Sequence, residues 1–182
     1  MTKNIFIIRH CKADGQAPEA KLTTHGEKQA EELVDFFSDQ PIDRIISSPY
    51  IRAIGSIKPL SNKLNLPINV DPRLAERVLS TSDLPNWMEQ LEATFDNIDL
   101  KLEGGESNRE ALTRGREVIH EILNGDDENT IIVSHGGLIS ILLSHYMNGF
   151  GFTGWRGLSN PDVYLLTNQH GEIIVKRIWE KG

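Results

Sequence analysis

The sequence predicts an α/β fold: a three-layer sandwich around a mainly parallel sheet, with a small helical cap inserted near the middle of the chain. Three observations predict it. Short apolar runs at residues 4–8, 44–47 and 130–134 are each followed by a stretch of helical periodicity. Residues 162–167 and 172–178 read as a closing strand pair around Asn168–Gly171. Residues 71–105 interrupt the alternation and read as an insertion over the sheet edge.

Residues 4–8 (NIFII) form the first expected strand. A helix is expected over 24–38, with Thr24 and Glu27 spaced as a capping box and Ala30, Leu33, Val34 and Phe37 on one face. RIIS at 44–47 is a short strand. Ser48 then reads as an N-cap and Pro49 as the first residue of a helix that Pro59 interrupts near residue 58. An extended piece follows at 67–70, and a helix at 84–97 with Leu84, Trp87, Met88, Leu91 and Phe95 at helical spacing. Ser107 and Glu110 form a second capping-box pair for a helix that Asn124–Gly125 stops. TIIVS at 130–134 is a strand and Gly137–Met147 a helix. The 150–160 segment reads as a loop, in which Trp155 and Arg156 are candidate substrate contacts. The expected organisation is one domain over 1–182, with 71–105 as its cap.

The totals exclude several classes of function. The 182 residues carry 19 basic and 26 acidic side chains, a net charge of −7, so the basic footprint of a nucleic-acid binder is missing. No apolar run approaches the roughly 20 residues of a membrane span. Cys11 is the single cysteine, which rules out an internal disulfide, and the N-terminal apolar stretch is too short for a signal peptide. A cytoplasmic location is expected, with no nucleic-acid or membrane partner; oligomeric state is not readable. No HExxH, CxxC or clustered carboxylate pattern asks for a metal, and no cofactor is expected.

Against that acidic background the positive groups are informative. Ligands of open α/β sheets bind beyond the carboxyl ends of the strands. The first strand ends in Arg9–His10, RIIS runs into S-S-P-Y-I-R with Arg52 in the next helix, and TIIVS ends in His135–Gly136–Gly137. Singly these are an ordinary rim, cap and turn. Their appearance after three separate strands points to one shared anion site, to which two helix N-termini are expected to add. A phosphate suits it.

The residues R9–H10, L22–T–T–H–G–E–K–Q–A30, S47–S–P–Y–I–R–A53, L74–A–E76, G105–E–S107 and S134–H–G–G137 occur in the order seen in the histidine phosphatase superfamily, which the chain resembles. The resemblance implies a phosphoglycerate-mutase-like fold and a metal-independent phosphatase acting on a small phosphorylated substrate or a phosphoprotein. It implies that His10 is the nucleophile, that Arg9, Arg52 and His135 bind the phosphate, and that Glu76 protonates the leaving oxygen. Gln16 falls where relatives carry a phosphate-binding asparagine. Glu106, Ser107 and Gly136 are further candidates beside the substrate. A phosphoglycerate mutase and a catalytically weak phospholigand-binding protein are the alternatives.

The chain departs from the family's R-H-G opening, having R-H-C-K-A. Cys11 and Lys12 therefore count as candidates beside the substrate. Arg9, Lys12 and Arg52 are expected to favour a Cys11 thiolate facing the pocket, the other expectation being an inert thiol behind the strand. A C-x5-R cysteine phosphatase is ruled out, because position 17 is Ala17.

Overall fold

The first apolar run is buried on both sides. The structure, a computed structural model, describes residues 1–180. In it β1 (Lys3–Arg9) lies inside a six-stranded sheet, and Ile5, Phe6, Ile7 and Ile8 are all buried. Side chains alternate along a strand, so the run feeds two cores. Ile5 and Ile7 pack with Ile119, Ile139 and Leu142, from α4 (Asn108–Asn124) and α5 (Gly136–Tyr146). Phe6 and Ile8 pack with Ala30, Leu33, Ile57 and Leu60, from α1 (Thr24–Phe36) and α2 (Ile51–Leu64). Each buried isoleucine contributes roughly 1.5–3 kcal/mol relative to exposure. Two helical layers around one sheet follow from this double burial.

The strand order is β3 (Ile68–Val70), β2 (Arg44–Ser47), β4 (Asn129–Ser134), β1, β5 (Asp162–Gln169), β6 (Glu172–Arg177). The β2–β3, β2–β4 and β1–β4 pairs are parallel, and β1–β5 and β5–β6 are antiparallel. The expected mainly parallel sheet is present, with the closing strand pair as its antiparallel edge. β1 leads to α1 on one face, whereas β4 leads to α5 on the other. Connections that part in this way open a crevice at the strand ends. Arg9 pairs with Ser134 across that crevice, which sets His10 beside His135.

Several expected boundaries differ. Thr23, not Thr24, caps α1, its hydroxyl accepting from Gly26 N at 2.9 Å. Position 26 must lack a side chain, since a Cβ there would lie 2.0 Å from the Lys12 carbonyl oxygen. Helix α2 starts at Ile51, not Pro49, and its N-cap Tyr50 gives no side-chain cap bond. It also runs through Pro59 rather than stopping there. An interior proline costs about 3 kcal/mol. Burial of Ala53, Ile57 and Leu60 on the same helix outweighs it.

The region over the crevice holds a 3-10 turn (Pro72–Leu74) and α3 (Trp87–Asp96). The 151–156 stretch, read as loop, is the short helix α6 (Gly151–Arg156). Aromatic contacts hold it: Phe152 stacks on Trp155 at 5.5 Å and meets Phe95 of α3 at 6.5 Å. Among the described residues no helix is long and apolar enough to cross a membrane.

Candidate active site

His10 leaves the end of β1 with its backbone held on two sides. Its N–H donates to Ser134 O at 3.1 Å, and its carbonyl accepts from Asn160 Nδ2 at 2.9 Å. The ring is oriented by its partners. Nδ1 lies 2.7 Å from the Cys11 carbonyl, which can only accept, so Nδ1 carries the proton. Nε2 is then the lone-pair nitrogen, and it accepts from Arg52 Nε at 3.3 Å. Burial, followed by the charges of Arg52 and Arg9, lowers the His10 pKa to about 4, against the opposing pull of the Cys11 carbonyl. At neutral pH the imidazole is uncharged, its Nε2 lone pair directed toward Arg52 Nε.

Three donors surround it. Arg52 is fully buried on the first turn of α2, where Nη1 donates to Ala17 O at 2.7 Å and the Tyr50 ring lies 5.0 Å from the guanidinium carbon. Arg9 Nη1 donates to Leu158 O at 3.2 Å. His135, whose ring centroid is 5.1 Å from that of His10, meets Ser48 Oγ through Nε2 at 2.7 Å. Ser48 Oγ also accepts from Tyr50 N, and in the tautomer in which its proton is given to His135 Nε2 the His135 Nδ1 carries a hydrogen. The His135 pKa is pushed well down by burial and then by His10, Arg52 and Arg9. It is a neutral donor.

Four buried side-chain polar atoms have no partner among the described residues, and three of them are here: Arg9 Nε, Arg52 Nη2 and His135 Nδ1. The fourth, Thr130 Oγ1, lies near the amino end of β4, away from the carboxyl ends of the strands. A buried donor without a partner costs about 1–3 kcal/mol, and more when charged. Three converging at a strand end describe a receptor for an oxyanion.

Glu76 arrives from the segment after the 3-10 turn. Oε1 accepts from Arg77 N at 2.7 Å and Leu138 N at 3.0 Å, and Oε2 accepts from Gly137 N at 3.1 Å. The carboxylate thus occupies the N-terminus of α5, which therefore does not itself face the anion as expected. Gly137 makes this approach possible, because a Cβ there would lie 2.5 Å from Glu76 Oε1. The N-terminus of α2 is partly used too, Ile51 N donating to Pro18 O at 3.1 Å. Side chains supply most of the anion's partners.

The remaining candidates divide. Gln16 lines a cavity of about 400 Å³ with Arg9, Glu76, Gly136 and Trp155. Gly136 gives room to Arg9, whose guanidinium would lie 3.1 Å from a Cβ at that position. The Lys12 side chain is exposed, and its backbone N–H donates to Gln29 Oε1 at 2.8 Å. Glu106 and Ser107 are not brought to the anion site. Glu106 pairs with Arg114 at 2.9 Å, and Ser107 forms the capping box of α4 with Glu110. Arg156 is exposed and lies by the Phe152 ring.

Cys11 corrects the expectation of a pocket thiolate. It is fully buried in the core under α1 and α2, and its pKa is raised to about 12 by that burial. The arginines do not govern it; the Ser56 hydrogen bond and Glu32 are the smaller influences. Its backbone N–H donates to Ser56 Oγ at 2.7 Å.

Residue-by-residue reading passed over the supports of the nucleophile loop. Ser48 orients His135, Ser56 holds Cys11 N, Gln29 holds Lys12 N and donates to Asn160 O at 2.6 Å, and Asn160 holds His10 O. A signal existed for two of them. Gln29 is the one polar side chain among the buried residues of α1, and Ser56 sits beside Ala53, Ile57 and Leu60 on the buried face of α2.

The family model for the histidine phosphatase superfamily (branch 1) matches residues 5–181. A protein provisionally named phosphoserine phosphatase 2 from Hydrogenobacter thermophilus is 26% identical over 156 residues, covering 78% of this chain and 77% of its own. A glucosyl-3-phosphoglycerate phosphatase from Mycolicibacterium vanbaalenii is 25% identical over 167 residues, covering 77% and 72%. The solved structure of a mycobacterial glucosyl-3-phosphoglycerate phosphatase with inorganic phosphate superposes with a TM-score of 0.77 at 22% identity, covering 97% and 96%. The chain belongs to the histidine phosphatase superfamily, branch 1, and is a phosphatase of the histidine phosphatase type.

Proposed function

We propose that this phosphatase hydrolyses phosphate monoesters in two steps through a phosphohistidine on His10, without a metal ion. The observation that carries the reading is the set of three unpartnered buried donors, Arg9 Nε, Arg52 Nη2 and His135 Nδ1, around a neutral His10. A phosphoryl group placed among them has its equatorial oxygens met by two guanidinium groups and an imidazole N–H. Charge that a metal ion neutralises elsewhere is met here by side chains.

In the first step the Nε2 lone pair of His10 forms a bond to phosphorus as the ester P–O bond breaks. The leaving oxygen takes a proton through Glu76, which receives it from the substrate monoanion on the first turnover and from the attacking water on later ones. Glu76 suits this part because Oε2 accepts one hydrogen bond and has a second lone pair for the proton. In the second step a water attacks the phosphohistidine, Glu76 takes its proton, and the N–P bond breaks to release inorganic phosphate and the original Nε2. The names of the relatives, phosphoserine phosphatase and glucosyl-3-phosphoglycerate phosphatase, support a small phosphorylated molecule as substrate over a phosphoprotein.

The test is hydrolysis of p-nitrophenyl phosphate by purified protein with and without excess EDTA. Turnover unchanged by EDTA and inhibited by vanadate is expected. Turnover lost on chelation and restored by a divalent ion, or no turnover at all, overturns the reading.

A further inference from the structure

The cap contributes a cation that the phosphate site does not use. Arg77, next to Glu76, is only 5% exposed yet lines the same cavity as Arg9, Glu76, Trp87 and Trp155. The cap is built to hold it. Nη1 donates to Asn108 Oδ1 of α4 and, at 3.5 Å, to Thr94 Oγ1 of α3. Asn108 is itself fixed by Nδ2 donating to Thr94 O at 2.9 Å. Among the described residues the guanidinium's hydrogen bonds run from Nη1, which leaves Nε and Nη2 for a ligand.

Among the described residues no carboxylate bonds directly to this guanidinium. Glu76 is turned to the N–H groups of Arg77, Gly137 and Leu138, and Glu106 is bound at both oxygens by Arg114 at 2.9 Å. Burial lowers the Arg77 pKa, with Glu76 and Glu106 acting the other way through space. Arg77 Nε and Nη2 are not among the buried unpartnered atoms, so they face the open cavity rather than the core. In a chain with 26 acidic against 19 basic residues, an arginine held at Nη1 with its remaining donors toward a cavity is placed to meet an anion from outside.

Position selects which part of the substrate it meets. Glu76 serves the leaving oxygen, so a group attached to the leaving alcohol lies on the side of Arg77, its neighbour in the chain. Leu79, Leu91, Trp87 and Trp155 complete that side of the cavity and offer no other charge. We propose that Arg77 is a specificity residue that binds a second oxyanion, a carboxylate or a further phosphate, carried by the leaving group of the phosphate monoester. The proposal rests on the phosphatase reading above.

The experiment compares matched substrates. One arm uses 3-phosphoglycerate and glycerol 3-phosphate, which differ by a carboxylate; the other uses fructose 1,6-bisphosphate and fructose 6-phosphate, which differ by a phosphate. In one arm kcat/KM is expected to favour the more anionic member by about tenfold or more. Arg77→Met should bring that ratio close to one, chiefly through KM of the anionic member, and Arg77→Lys should restore part of it. Equal kcat/KM in both arms for the unaltered protein overturns the proposal and leaves the phosphatase reading intact. So does a loss in Arg77→Met that falls equally on both members. If Arg77→Met does not fold, inhibition of the unaltered protein decides. A Ki for 3-phosphonopropionate about tenfold below that for propylphosphonate supports the proposal, and equal values overturn it. Absence of hydrolysis with every ester overturns both readings.

Discussion

The phosphate site and the cap above it are built by opposite rules. At the site, His10, Arg52 and His135 are buried, sit at the ends of sheet and helix elements, and are held by backbone carbonyls or by Ser48. In the cap, Trp87 is 46% exposed, Met88 and Val78 are exposed too, and the segments flanking α3 are joined by hydroxyls of Ser80, Thr81 and Ser82 donating to Glu103. A phosphoryl group is the same in every monoester, so its receptor is best made rigid. The rest of the substrate varies, and a loop-borne cap changes without disturbing the sheet. On the proposed reading, chemistry and selectivity are carried by different layers.

Glu76 joins the two regions, so its removal breaks the comparison most sharply. Glu76→Gln keeps most of the geometry at the α5 N-terminus and removes the transferable proton. Measured as kcat/KM, which covers steps up to release of the alcohol, the loss is expected to be about 10²–10⁴-fold for alkyl monoesters. For p-nitrophenyl phosphate, whose leaving group needs little protonation, the loss should be much smaller. Equal losses on the two substrates would mean that Glu76 acts only by holding Arg77 and α5 in place.

Titration separates the regions next. The folded pKa of His10, about 4, lies below the ordinary histidine value of about 6.5. The unfolded chain therefore binds the extra proton more readily between those values. The stabilisation is present above about pH 6.5 and is lost as pH falls through 4. Urea titrations should find the protein about 2 kcal/mol less stable at pH 5 than at pH 7 from His10 alone, with His135 acting in the same direction. The kcat/KM profile should show no loss of His10 nucleophilicity near pH 6.5. An NMR titration in which the His10 ring takes up its proton near pH 6.5 would contradict the buried, neutral imidazole.

The smallest expected effect concerns Cys11, beside the nucleophile in sequence but in the core in space. Iodoacetamide should modify it only as fast as the protein opens, and phosphate in the pocket should not protect it beyond its effect on stability. Rapid modification slowed by phosphate in proportion to site occupancy would place the thiol in the pocket after all.

How much of this was legible in the sequence follows the same division. Arg9–His10, Arg52 and His135–Gly136 stand out because each puts a polar group where an apolar pattern ends. Glu76 carries no such mark, lying in an irregular segment, and came from resemblance. Asn160 and Arg77 were invisible for a related reason: their places are set by how loops pack, not by periodicity. Pro59 reads as a helix stop, but propensity is local and the burial that overrides it is not. Helix α6 was hidden by Gly151 and Gly154, poor helix formers that its aromatic stacking compensates. Cys11 was misplaced because the chain leaves strand geometry at His10, and alternation no longer tells which side the next residue faces.

The central claim is that His10 Nε2 takes the phosphoryl group. Rapid mixing with a ³²P-labelled monoester, followed by quenching in base and peptide mapping, tests it directly. A labelled peptide containing His10, with the acid lability and base stability of an N–P bond, should appear before steady state and be absent from His10→Ala. Hydrolysis that proceeds at the normal rate with no labelled protein at any time, or label that persists in His10→Ala, would contradict the account.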